Sequence, residues 1–166
     1  MITKQDIQIK RATETDAERL TDISFAAKRY WNYPEQNYEI WRNELTVTSE
    51  YISTNTVYNV QLNGSVIGFY SIVEVKTEFM AGEVYVRAGF WMEHIFILPE
   101  YHKLGIGRLL VNHAKHTAKS LGADQLWIFV DPFAKGFYEK IGAKYQYDSK
   151  SSIDDRLIPV YTLDSK

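Results

Sequence analysis

Two glycines, Gly105 and Gly107, lie in the basic stretch Glu100-Tyr101-His102-Lys103-Leu104-Gly105-Ile106-Gly107-Arg108, and their spacing suits one kind of chemistry. A strand that feeds a Gly-x-Gly turn and then a helix aims several backbone N–H groups, together with the positive helix end, at one point. Such a point binds anions, best of all a phosphate or pyrophosphate. The missing Cβ atoms let the ligand approach main chain. A Walker loop needs Gly-x-x-x-x-Gly-Lys followed by Ser or Thr, which is absent, and a dinucleotide fingerprint needs a third glycine where Leu110 stands. The alternative to a ligand site is a plain tight turn between strand and helix. Other chemistries find less support. With no cysteine there is no thiol nucleophile, disulfide or thiolate metal site. No Ser-His-Asp arrangement stands out, and His94, His113 and His116 lack the carboxylates of a metal cluster, so no metal is expected.

The elements that must position this turn are legible on either side of it. Before it, a β-branched and aromatic run from about Tyr85 to Leu98 reads as a strand stopped by Pro99. After it, Ile106, Leu109, Leu110, His113, Ala114, Thr117 and Leu121 fall on one helical stripe, closed by Gly122 as C-cap. Strand alternation puts Trp91, Glu93, Ile95 and Ile97 on one face and Met92, His94, Phe96 and Leu98 on the other.

Earlier in the chain, Ile7–Arg11 reads as a first strand. Thr13–Asp16 offers N-cap residues for a helix through Ala17, Leu20, Ile23, Ala27 and Tyr30. Pro34 breaks that run, a second helix follows through Tyr38, Trp41 and Leu45, and a shorter turn covers Thr48–Ile52. Thr56–Leu62 and Val66–Val75 are strands around Asn63-Gly64, a strong hairpin signal, and Lys76–Gly82 reads as a loop. Beyond the central helix come a strand at Gln125–Val130, a short helix at Ala134–Ile141, and strands at Ala143–Tyr147 and Leu157–Leu163. The order β-α-α-β-β-β-α-β-α-β-β implies an α/β (α+β) chain with a mixed, mostly antiparallel sheet and helices on both faces.

The chain of 166 residues is the size of a single domain, and 45% apolar with 14% aromatic residues is a globular composition. A formal charge of −2 argues against a nucleic-acid partner. The start, Met1-Ile2-Thr3-Lys4-Gln5-Asp6, lacks the apolar core of a signal peptide, and no run approaches the ~20 apolar residues of a membrane span. A cytoplasmic protein without a membrane partner is the expectation, with a homodimer left open.

The glycine turn resembles the acyl-CoA loop of the GNAT superfamily of acetyl-CoA-dependent N-acetyltransferases, (Arg/Gln)-x-x-Gly-x-(Gly/Ala), with His102 at the usual Arg/Gln position. About thirty residues on, Asp131-Pro132-Phe133-Ala134-Lys135-Gly136-Phe137-Tyr138-Glu139-Lys140-Ile141-Gly142-Ala143 resembles the family's Asn-x-x-Ala-x-x-Phe-Tyr-x-x-x-Gly-Phe, Asp131 standing for the Asn and Ala143 for the Phe. The two motifs cover roughly residues 90 to 145, and the element order is similar to the GNAT order throughout.

The resemblance implies an enzyme that moves an acetyl group from acetyl-CoA to a primary amine of a small molecule or peptide, by direct attack in a ternary complex. It also implies roles. Main-chain groups of Ile95, Phe96 and Ile97 would meet the pantetheine arm, and N–H groups there would hold the carbonyl oxygen as it gains charge. His102, Lys103, Leu104, Gly105, Ile106, Gly107 and Arg108 would cradle the phosphates. Asp131, Ala134 and Phe137 would line the rest of the cofactor, with Asp131 also able to cap its helix.

Tyr138 would be the acid beside the CoA sulfur. Glu93 would serve the incoming amine. An ordinary Glu near ~4.3 facing an ammonium near ~10.4 falls about six pKa units, or ~8 kcal/mol, short of removing the proton outright. Glu93 is therefore expected to order a water chain and select a cation, and His94 is an alternative whose parity points elsewhere. Trp31 and Tyr33, beside the helix break, and Trp91 are expected at the acceptor. Two other readings stand beside the enzyme: an acyl-CoA-binding sensor without turnover, and a nucleotide-phosphate binder using the glycine turn alone.

Overall fold

The computed structural model describes Thr3 and residues 6–166, so part of the Met1–Asp6 stretch lies outside the described residues. The chain divides into two compact units, Met1–Ser71 with His94–Val111, and Ile72–Glu93 with Asn112–Lys166.

In the first unit, β1 (Ile7–Arg11) runs antiparallel to β2 (Thr56–Leu62), with Ile7 opposite Leu62 and Arg11 opposite Tyr58. Asn63 and Gly64 take φ of 50° and 84°, the pair of positive angles a type I′ turn demands, and pass the chain to β3 (Ser65–Val75). The helix α1 (Ala17–Arg29) starts from a tight turn in which the Asp16 carboxylate accepts from the Thr13 N–H at 2.9 Å and from Asn59 Nδ2 at 3.1 Å.

Asn32, at φ 57°, and Pro34 separate α1 from α2 (Glu35–Leu45). The expected turn at Thr48–Ile52 is in fact a helix, α3 (Ser49–Thr54), because Thr48 Oγ1 accepts from the Tyr51 N–H at 3.0 Å and caps it. Leu20, Ile23, Val47, Ile52, Val57 and Phe69 form the core of this unit, each burial worth ~1.5–3 kcal/mol.

The strand β6 (Gly89–Ile97) passes from the second unit into the first, where it lies beside β3. Gly68 makes that contact possible: a Cβ there would stand 2.8 Å from the Phe96 carbonyl oxygen and 3.0 and 3.1 Å from side-chain carbons of Val60 and Ile97. Gly68→Ala is expected to lower stability by ~2 kcal/mol, read as a fall in the urea midpoint. An unchanged midpoint would show that the strands part freely.

In the second unit the expected loop at Lys76–Gly82 is half of a two-stranded ribbon, β4 (Phe79–Ala81) and β5 (Val84–Val86), with Phe79 opposite Val86. The expected strand from Tyr85 to Leu98 is therefore two strands. It breaks at Arg87-Ala88, and β6 begins only at Gly89, whose φ of 138° an L side chain resists. The strands β7 (Gln125–Phe129), β8 (Lys144–Lys150) and β9 (Leu157–Asp164) complete this unit, with α5 (Lys135–Lys140) before β8. Trp91, Trp127 and Val160 centre its core.

The helix α4 (Ile106–Ser120) belongs partly to each unit. Its buried line is Ile106, Leu110, Val111, Ala114 and Ala118, turned from the expected stripe, so that Leu121 is 43% exposed. Hydrogen bonding joins the strands in the order β1-β2-β3-β6-β7-β9-β8. β6 and β7 are parallel, with Trp91 opposite Trp127, whereas β7–β9 and β8–β9 are antiparallel. Among the described residues the fold is α+β, with a mixed, mostly antiparallel seven-stranded sheet and five α-helices.

Candidate active site

The turn that opens α4 is defined by its backbone angles. Lys103 takes φ 62° and Gly105 φ 81°, and a Cβ on Gly105 would meet nothing within 4 Å. Glycine is thus favoured there by conformation, not by crowding. The Leu109 N–H donates to the Gly105 carbonyl at 3.1 Å. The N–H groups of Ile106, Gly107 and Arg108 consequently have no acceptor within the helix and add to its positive end. Lys103, Leu104, Gly105 and Arg108 are exposed. Converging amides with two nearby cations are the donor set a diphosphate needs.

His102 faces another way. Its Nε2 lies 3.3 Å from the Ile97 carbonyl oxygen and its ring meets Tyr30 edge-on at 4.8 Å, bracing the end of β6 against the end of α1. On β6 itself, the Leu98 N–H donates to the Ile67 carbonyl at 2.9 Å and the His94 N–H to Ser71 Oγ at 3.1 Å, both toward β3. Alternation therefore turns the N–H groups of Ile95 and Ile97 to the edge away from β3. The His94 side chain is buried among Tyr51, Phe69 and Phe96, and burial pulls its pKa down to about 4.

In the second unit, Asp131 caps the turn that leads into α5. Its Oδ1 accepts from the Phe133 N–H at 3.0 Å, and its carbonyl accepts from the Ala134 N–H at 2.7 Å. Tyr138 is buried at 7% exposure with the Phe137 ring edge-on at 5.1 Å. Burial pushes its phenol far above the ordinary range, and the Asp131 carboxylate adds to the rise. Glu93 is exposed on β6.

One residue near this turn had no signal in the sequence. Arg156 Nη2 lies 3.7 Å from Asp131 Oδ2, with the side chains only 17% and 12% exposed. Ser151 Oγ shapes the loop that delivers it, bonding the Arg156 carbonyl at 2.7 Å and the Ile153 carbonyl at 3.1 Å. Arg156 also lines an open cavity of about 530 Å³ together with Glu83, Lys150 and Asp154.

The sequence profile of the acetyltransferase (GNAT) family matches residues 17–143. The chain belongs to this family. Its fold is shared by a GCN5-related N-acetyltransferase of Rhodopseudomonas palustris, at 17% identity and a TM-score of 0.76 over 99% of each chain. It is shared by the PaiA N-acetyltransferase of Thermoplasma acidophilum in complex with coenzyme A, at 19% identity and a TM-score of 0.73 over 95% of this chain and 98% of that one. A GNAT acetyltransferase of Brucella melitensis in complex with acetyl-CoA matches at 18% identity and a TM-score of 0.62, over 95% and 87%. No curated protein matches in sequence.

The aromatic residues expected on the acceptor side of this GNAT chain have partners within the chain. The face of Tyr33 carries Lys28 Nζ at 5.3 Å, and the same ammonium lies 4.4 Å from the Trp41 ring centre. Trp31 meets Tyr30 edge-on at 4.9 Å. Trp91, at 3% exposure, stacks on Phe129 at 4.6 Å and donates its indole N–H to the Arg87 carbonyl at 2.9 Å, in the core of the second unit. Among the described residues no helix is long and apolar enough to cross a membrane.

Proposed function

We propose that this GNAT acetyltransferase moves an acetyl group from acetyl-CoA to a primary amine of a small molecule or peptide, by direct attack. The observation that carries the reading is the turn opening α4, where Gly105 at φ 81° precedes three helix-end amides and Lys103 and Arg108 stand exposed. These residues fit a diphosphate. Acetyl-CoA supplies an activated thioester, and the chain's own groups do the rest.

The amides of Ile106, Gly107 and Arg108 bind the diphosphate, helped by the charges of Lys103 and Arg108. The N–H groups of Ile95 and Ile97 serve the pantetheine arm and the acetyl oxygen. The Ile97 carbonyl is already engaged by His102, so that residue contributes through its N–H. Glu93 attracts the cationic amine and orders the water that receives its proton. As the new C–N bond forms and the C–S bond breaks, the nitrogen would give its second proton to the same water. CoA would leave as the thiolate, which the protonated Tyr138 hydroxyl would stabilise by a hydrogen bond. Asp131, Ala134 and Phe137 hold the turn that carries it.

The test has two arms. Acetyl-CoA at ~100 times its dissociation constant is expected to add about 2.7 kcal/mol of stability, raising the melting temperature by roughly 5–10 °C. A flat melting curve would remove the cofactor assignment. Thiol release with acetyl-CoA and a panel of amines should then exceed the rate without amine. Binding with no release for any amine would favour a sensor.

A further inference from the structure

Ser71 stands at the middle of a buried hydrogen-bonded chain that ends on the main chain of β6. Its Oγ, fully buried, lies 2.8 Å from Tyr51 Oη and accepts from the His94 N–H at 3.1 Å. Tyr51 is fixed in turn by α3, whose cap Thr48 accepts the Tyr51 N–H, and its ring meets the His94 ring edge-on at 5.6 Å. One residue along, the Ile95 N–H points to the opposite edge of the strand.

From this placement we infer that Ser71 and Tyr51 are positioning residues for acetyl recognition: through the His94 amide they set the height and tilt of the Ile95 N–H. The inference rests on the reading above, in which that edge of β6 meets the acetyl group. A hydrogen bond to a carbonyl oxygen weakens steeply as its angle closes, so a small rotation of the His94–Ile95 peptide plane is enough to lose it. Ser71 holds the preceding Glu93–His94 plane, to which that plane is joined at His94. A side-chain hydroxyl held from two sides restrains that rotation better than a freely rotating one. The inference also gives α3 a role at the site, through the hydroxyl it presents to β3.

The test compares the affinity for acetyl-CoA with that for CoA, by titration calorimetry on the full chain. The two ligands share the diphosphate and pantetheine, so their affinity ratio isolates the acetyl group. Wild type is expected to prefer acetyl-CoA by roughly fivefold, the worth of about one hydrogen bond. In Ser71→Ala the preference should vanish while CoA affinity stays within twofold. Ser71→Thr, which keeps the hydroxyl, should retain it, and Tyr51→Phe should lose about half on a logarithmic scale. Should Ser71→Ala fail to fold, Tyr51→Phe and Ser71→Thr read the same ratio.

A wild-type preference left intact in Ser71→Ala, or in Tyr51→Phe where the first variant does not fold, overturns the inference. So does equal wild-type affinity for the two ligands. Failure of the wild type to bind either ligand overturns the functional reading instead.

Discussion

Tyr138→Phe is expected to lower kcat by roughly 100-fold while leaving CoA affinity within about twofold. In the proposed reaction the lost group is a hydroxyl that would act on sulfur only as the C–S bond breaks, so its removal should fall on turnover and not on binding. Burial matters to the form of the effect. The phenol is raised well above its ordinary value, so it stays protonated throughout the working range. A raised pKa makes it a weaker acid but a dependable hydrogen-bond donor.

The sign of the pH dependence follows. Activity should rise with pH as the acceptor amine loses its proton, then level off, with no alkaline decline from Tyr138 below pH ~10. Both observations come from steady-state rates of thiol release between pH 6 and 10. An unchanged kcat in Tyr138→Phe, or a wild-type alkaline limb near pH 9 that vanishes in the variant, would remove this assignment.

Much of the fold that carries these residues could be read from short-range signals. Asn63-Gly64 demanded a tight turn, and the chain takes it with two positive φ angles. Pro34 separated two helices whose apolar spacing was plain, and the mixed, mostly antiparallel sheet followed from element order and resemblance.

The ribbon at Phe79–Val86 was illegible for a physical reason. Its paired strands are three residues long, and Phe79 and Met80 are 49% and 58% exposed, so no alternation marks them. The signal that would have helped is Ala81-Gly82-Glu83, a turn in which Gly82 takes φ 63°. The stripe on α4 holds at Ile106, Leu110 and Ala114 and differs at its edge, because half-buried Leu109 and Thr117 are compatible with either of two adjacent faces. Val111 and Ala118 decide between them only once packing is known.

At the candidate site the glycine turn was visible because backbone conformation writes itself into residue type. Arg156 was not, since a loop of serines and aspartates carries no mark of the carboxylate it will meet. Nor does a sequence say whether an aromatic face is already covered, as that of Tyr33 is by Lys28.

Acid should destabilise the protein through His94, and His94→Leu should remove that part of the loss. The imidazole has an ordinary value of 6.5 and is held near 4 by burial alone. Above pH ~7 it is neutral in both folded and unfolded chains and contributes no pH dependence. Between pH 6.5 and 4 the unfolded chain takes up a proton that the folded chain refuses, so stability falls as pH falls. The separation of about 2.5 pKa units corresponds to ~3 kcal/mol once pH reaches 4.

Other groups titrate in the same range, which is why the comparison must be between variant and wild type, where distant contributions cancel. Urea unfolding at pH 7.5 and 4.0 supplies the four values required. The wild type should lose ~3 kcal/mol more than His94→Leu over that interval, whatever the stability of the variant at pH 7.5. Equal losses would mean that the imidazole reaches water or a proton acceptor when charged. The packing of His94 against Tyr51, Phe69 and Phe96, and with it the rigidity ascribed to this part of β6, would then have to be abandoned.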